Sequence, residues 1–156
     1  KFLNQRKELS KLDINILINS CVEMSKSKTG AIIVLQRSNS LDFTLNENNH
    51  SMIQLTPQVL ESIFFKNSPL HDGAILIEKN TIVATRMILP VSDNSNVPSR
   101  YGIRHRAALG ISEKTDALVI VISEQTGKIV YVKNGVFLNI KSHEILKETI
   151  IQDLSE

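Results

Sequence analysis

The chain has 156 residues, 42% of them apolar and 22% charged, and carries a net charge of +2. That length and composition fit one folded domain over residues 1–156 and exclude wholesale disorder. The near-neutral balance, with 4% aromatic residues and no Trp, argues against a nucleic-acid binder, which needs a basic face and stacking rings.

Residues 10–27 read as a helix with Ser10 as its N-cap. Leu12, Ile16, Leu17, Ile18, Cys21, Val22 and Met24 share one broad apolar face. Cys21 reads there as a small core residue. Being the single cysteine, it cannot close an internal disulfide, which fits an intracellular setting. Thr29-Gly30 turns into the apolar run Ala31–Leu35, a buried strand. Residues 37–50 are polar and Asn-rich, a loop with a short strand at Leu41–Thr44, and His50 reads as a surface histidine. Thr56-Pro57 opens a second helix, with Thr56 as N-cap, Pro57 in the first position, and Val59, Leu60, Ile63 and Phe64 as its stripe.

Strands at Ala74–Ile77 and Thr81–Ile88 flank the turn Glu78-Lys79-Asn80, and Leu89-Pro90 ends the second of them. Ser92 to Tyr101 is a long polar connection, of a kind more often functional than accidental. A helix follows over Ile103–Lys114, weakened slightly by Gly110. Ala117–Ile122 is the best central strand. Lys128–Lys133 and Val136–Ile140 form a hairpin around Asn134-Gly135, and Ser142–Leu154 closes the chain as an amphipathic helix. The count, six or seven strands and four helices with hairpins among them, predicts an α/β fold: a mixed sheet covered by helices. No run approaches the ~20 apolar residues of a membrane span, and Lys1-Phe2-Leu3 leads into polar residues, not a signal-peptide core. A start at Lys is expected of a piece of a longer protein, in which an upstream segment could hold a membrane anchor.

Two polar knots carry the chemistry. In Ser68-Pro69-Leu70-His71-Asp72-Gly73, a Pro-initiated turn delivers an imidazole and a carboxylate to the mouth of a buried strand. That pair suits a divalent metal or acid–base work, and Gly73 admits a ligand or a second backbone; a plain polar turn is the alternative. Arg104-His105-Arg106 falls at a helix N-terminus, where cations oppose the macrodipole. An anionic ligand there would resolve the conflict and use the free N–H groups, and Arg has the planar fork that fits phosphate; a solvated helix face is the alternative. Ser123-Glu124-Gln125 ends the central strand, either at a ligand crevice or as an ordinary turn. Neither a Walker motif nor a Gly-x-Gly-x-x-Gly run is present. The residues by themselves lead to metal-assisted handling of a phosphorylated ligand.

Asp72-Gly73-Ala74 and Arg104-His105-Arg106 resemble the paired motifs of the diadenylate cyclase (DAC) family. So do their surroundings: Thr29-Gly30-Ala31, Leu89-Pro90, Gly110-Ile111-Ser112-Glu113 and Val121-Ile122-Ser123-Glu124. The likeness spans residues 10–140 and is nearest to the membrane-anchored, single-catalytic-domain type. It implies that two ATP condense to the bacterial second messenger cyclic di-AMP, releasing two pyrophosphates, across a face-to-face homodimer. The implied cofactor is Mn²⁺ or Mg²⁺, with Co²⁺ as a further candidate, held by His71 and Asp72. The implied catalytic residues are Asp72, Arg104, His105 and Arg106. Gly73, Ala74, Ile88, Leu89, Ile103, Ser123 and Gln125 would join the arginines and His105 around the nucleotide. Ile103 stands where the family usually has Thr, Ile88 where close relatives often have Tyr, and Gln125 where Glu is common. Those departures support a second reading, a non-catalytic ATP-binding or sensory module.

Overall fold

The computed structural model describes residues 11–156. Its framework is a seven-stranded sheet. In chain order the elements are α1 (Ile14–Lys26), β1 (Ala31–Leu35), a 3₁₀ turn (Asp42–Thr44), β2 (His50–Gln54), α2 (Val59–Phe64), β3 (Ala74–Glu78) and β4 (Thr81–Met87). They continue with α3 (Ile103–Lys114), β5 (Leu118–Ile122), β6 (Ile129–Lys133), β7 (Val136–Leu138) and α4 (His143–Leu154). The spatial order is β2-β4-β3-β1-β5-β6-β7. β1 and β3 run parallel; the other neighbours are antiparallel. Among the described residues, the predicted mixed α/β sheet with four helices is what forms.

β1 and β5 are apolar throughout because both faces of the sheet are covered. Alternate side chains divide between two cores. Ile33, Leu35, Ile75, Ile120 and Ile122 face Leu17, Cys21 and Met24 of α1 and Leu146 and Ile150 of α4. Ile32, Val34, Leu76, Val119 and Val121 face Ala107, Ala108 and Ile111 of α3. Each such fully buried aliphatic side chain contributes about 1.5–3 kcal/mol relative to exposure. Among the described residues, no helix is long and apolar enough to cross a membrane.

The structure changes several local expectations. Asp13 is the N-cap of α1, its carboxylate accepting from the Ile16 amide at 3.2 Å; the predicted cap, Ser10, lies outside the described residues. Leu41–Thr44 is not a strand: Asp42–Thr44 make one 3₁₀ turn. Strand β2 begins instead at His50, inside the stretch expected to be loop. The Thr56-Pro57 start is replaced by a turn in which the Val59 amide donates to the Thr56 carbonyl at 3.2 Å, so α2 begins two residues later, after Gln58. Asn134-Gly135 forms the tight hairpin predicted, with φ of 51° and 74°, the left-handed pair such turns require.

Candidate active site

Topology gathers the site at one end of the sheet. β1 and β3 are parallel, so their first residues share that end. β4 and β5, each antiparallel to one of them, finish there. Gly30, His71–Gly73, Ile88 and Ser123–Gln125 therefore meet at one rim, and α3 brings its N-terminus to the same place.

The loop before β3 fixes His71. Its Nδ1 lies 2.8 Å from the Ser68 carbonyl and, donating to it, leaves the Nε2 lone pair directed outward. Asp72 Oδ1 stands 3.2 Å from that Nε2, on a side chain that is 80% exposed. Two lone-pair donors thus share one spot at the surface. Gly73 has φ +80°, and a Cβ there would stand 2.8 Å from both the Arg86 carbonyl carbon and the Met87 oxygen. The second backbone expected near Gly73 is therefore β4 itself. A register irregularity in that pairing accompanies an Arg86 φ of 55°, and Ile88 beyond it is 83% exposed at the rim.

α3 begins with Gly102 as N-cap, no side-chain cap, no acidic residue in its first turn, and Arg104 and Arg106 there instead. The Arg104 guanidinium packs on Gly30, where a Cβ would come within 2.8 Å of Cζ. Its Nη1 lies 3.4 Å from Glu124 Oε1. Arg106 points elsewhere: its Nη1 donates to the Asn94 carbonyl at 3.3 Å, and the Arg106 backbone carbonyl accepts from the Ser92 amide at 3.0 Å. His105 is only 6% exposed. Its ring stacks on Tyr101 at 4.4 Å and meets Phe137 edge-on at 6.4 Å. Burial, reinforced by the charge of Arg104, holds its pKa below the usual histidine value.

Two cavities open at this rim. One, of about 310 Å³, is lined by Tyr101, Gly102, Ile103, Arg104, His105 and Ser123–Gln125, among others. The other, of about 470 Å³, contains His71 and Arg104 together with Gly30 and Glu124. The two predicted knots thus meet. Not every predicted contact does. Ala74 exposes no surface and sits behind Gly73 as a core residue, and Leu89 is buried against α3. The Ser123 hydroxyl accepts from the Gln125 and Thr126 amides, each at 3.2 Å, which shapes the turn. Gln125 is the residue expected at the nucleotide, yet its neighbour Glu124 is the one that reaches Arg104. Lys28 and Lys66, in the larger cavity, were not foreseen; a cation within a polar stretch carries no signal of its direction.

The sequence profile of the DAC family, described as DisA bacterial checkpoint controller nucleotide-binding, matches residues 18–137. The chain belongs to the DAC family. This DAC domain is 43% identical over 117 residues to the diadenylate cyclase CdaS of Bacillus thuringiensis, covering 75% of this chain and 58% of that protein. It is 38% identical over 141 residues to the diadenylate cyclase of Mycoplasma genitalium, covering 89% and 70%. Against the crystal structure of a double mutant of DacA from Staphylococcus aureus, the TM-score is 0.86 at 32% identity, covering 97% of this chain and 98% of that one. A Bacillus cereus protein described as a hypothetical membrane spanning protein superposes with a TM-score of 0.78 at 39% identity, covering 82% and 63%. The DAC domain spans about half the length of several of the curated relatives it matches.

Proposed function

We propose that this DAC domain is a diadenylate cyclase that condenses two ATP into cyclic di-AMP. What carries the reading is one cavity, in a DAC-family chain, lined by the His71 imidazole and the Arg104 guanidinium, with the Asp72 carboxylate 3.2 Å from His71 Nε2. The bond changes are simple. The 3′-oxygen of each nucleotide bonds to the α-phosphorus of the other, the Pα–O bond to the β-phosphate breaks, and pyrophosphate leaves with the electron pair. Asp72 accepts the hydroxyl proton, as an exposed carboxylate at the rim can. Arg104 holds phosphate oxygens, and Gly30 leaves the guanidinium room to lie flat. Gly102 and Ile103 offer uncapped amides to the same phosphates. Ile88 and Ile103, both exposed apolar side chains, give the adenine an aliphatic bed. His105 keeps the start of α3 in place through its stack on Tyr101.

The mixed nitrogen–oxygen donor set suits Mn²⁺ or Co²⁺ better than Mg²⁺, which takes oxygen ligands. His71 Nε2 and Asp72 Oδ1 present lone pairs to one spot, and no group of three ligating side chains occurs among the described residues. Two protein ligands with the rest from phosphate and water is the usual arrangement for such ions on nucleotides. The ion would neutralise phosphate charge.

Both α-phosphates are attacked by a hydroxyl held on the other subunit, so a face-to-face homodimer is the working form. The Bacillus cereus relative described as membrane spanning supports a membrane-anchored parent protein. Incubating the purified chain with ATP and Mn²⁺ or Mg²⁺ and analysing products by mass spectrometry tests the proposal. Cyclic di-AMP is expected. ATP binding without product at dimerising concentrations would leave the non-catalytic module in its place.

A further inference from the structure

The two cavities at the rim share Arg104 and Glu124, but their other walls differ. The smaller is formed by the start of α3 and the turn after β5. The larger runs back from Gly30 to Lys28, Lys66 and His71. We propose that the larger cavity is a diphosphate pocket, which takes the β- and γ-phosphates of bound ATP and holds them as pyrophosphate once the α-phosphate has been transferred. The proposal rests on the cyclase reading for its place in the reaction.

Lys28 is the first observation behind it. α1 ends in a Schellman turn: the Thr29 amide donates to the Met24 carbonyl at 2.9 Å, and the Lys28 amide to the Ser25 carbonyl at 3.2 Å. Lys28 occupies the left-handed position of that turn, with φ 53°. Glycine fills this place at least cost, and a Cβ there is strained. A charged side chain held in a conformation that favours glycine, and lining a cavity, points to use of the side chain. Its stem runs beside Gly127, with Cγ 3.4 Å from where a Cβ on that glycine would stand. Lys28 therefore lies along the same turn that carries Glu124.

Glu124 is the second. A carboxylate set on a guanidinium occupies a place that a phosphate oxygen can take. The cavity wall carries Lys28, Lys66 and Arg104 against Glu61 and Glu124. Swinging Glu124, an exposed side chain, off Arg104 leaves the cations in surplus just where the leaving diphosphate emerges. Glu124 acts as an internal competitor of the ligand, and the ligand displaces it.

Calorimetric titration of the whole chain with inorganic pyrophosphate, in the presence of Mg²⁺, tests this, with AMP as the probe that lacks the diphosphate. Pyrophosphate should bind and compete with ATP. Lys28→Gly should weaken pyrophosphate roughly ten-fold or more, the scale of one lost charge-assisted contact, and leave AMP binding unchanged. Its melting temperature should hold or rise, because glycine relieves the turn; a merely structural lysine would show that gain with no loss of pyrophosphate. Lys66→Ala should weaken pyrophosphate similarly, and Glu124→Gln should tighten it. Wild-type pyrophosphate affinity in both lysine variants would overturn the pocket, even with cyclic di-AMP still formed. Intact, lysine-dependent pyrophosphate binding in a chain that makes no cyclic di-AMP would keep the pocket and remove the cyclase reading.

Discussion

Asp72 and His105 stand at opposite extremes of the site, one in water and one inside. Asp72 supports nothing in the fold, so Asp72→Asn should leave the melting temperature unchanged while cyclic di-AMP formation falls by about 10²-fold or more. Retained activity would remove Asp72 as the proton acceptor. His105 titrates at a cost. Burial and Arg104 depress its folded pKa, so the folded state resists the proton that the unfolded chain takes up near pH 6.5. Stability from this residue is complete above that value and declines as pH falls below it. His105→Phe keeps the stack on Tyr101 without the titration, and should flatten the fall in melting temperature between about pH 7.5 and 5.5; equal slopes in both proteins would contradict it. Residue types were legible in the sequence: His71, Asp72 and Arg104 sit at the rim as their chemistry suggested. Directions were not read. Arg106 follows Arg104 by two residues, about 200° around a helix, and so takes the loop side instead.

The helix carrying Arg104 is set in position by Gly110, a residue that helix propensity marks as a weak point. A Cβ on Gly110 would stand 1.7 Å from the Pro90 oxygen and 2.7 Å from its carbonyl carbon, so α3 and the chain after β4 touch backbone to backbone. Helix propensity alone makes Gly110→Ala favourable. Contact decides otherwise: overpacking should destabilise the fold by about 1–3 kcal/mol and displace Arg104, which chemical denaturation together with ATP titration would detect. A variant as stable as the wild type would mean that the Pro90 segment yields freely. Elements with continuous apolar runs, such as β1 and β5, were legible because both faces of those strands are covered. β2 was not, because it is an edge strand. His50, Met52 and Gln54 are exposed, only Ser51 and Ile53 face inward, and a register shift interrupts its pairing with β4. Its polar sequence reads as loop until β4 supplies the partner.

Across the whole molecule, polar contacts tie the last residues to the sheet on the α4 side. Asp153 accepts from the Tyr131 hydroxyl at 2.6 Å and from Lys133 Nζ at 2.8 Å, and Arg37 Nη1 donates to its carbonyl at 3.1 Å. Burial by itself would raise the Asp153 pKa; the bonds from Lys133 and Tyr131 outweigh it and hold the group below the usual carboxylate value. This contribution is present above about pH 4 and lost as pH falls through the lowered folded pKa. Asp153→Asn should therefore lower the melting temperature at neutral pH far more than at pH values where the carboxyl is already protonated. On the proposed cyclase reading, the site at the rim of the sheet is half a reaction centre, each subunit presenting one hydroxyl end and one α-phosphate to its twin. That symmetry has a consequence for mixed pairs. In a dimer of one wild-type and one Asp72→Asn subunit, the wild-type side still activates its own 3′-hydroxyl, and one phosphodiester bond forms. The variant side cannot activate the hydroxyl that would close the ring. Wild-type protein mixed with a large excess of Asp72→Asn should then release one pyrophosphate per dinucleotide and accumulate the linear dinucleotide that keeps its 5′-triphosphate. Chromatography of the products, followed over the mixing ratio, reads this directly. Cyclic product alone, in proportion to the wild-type protein added, would show that one subunit completes both bonds and that the face-to-face arrangement is not the working form.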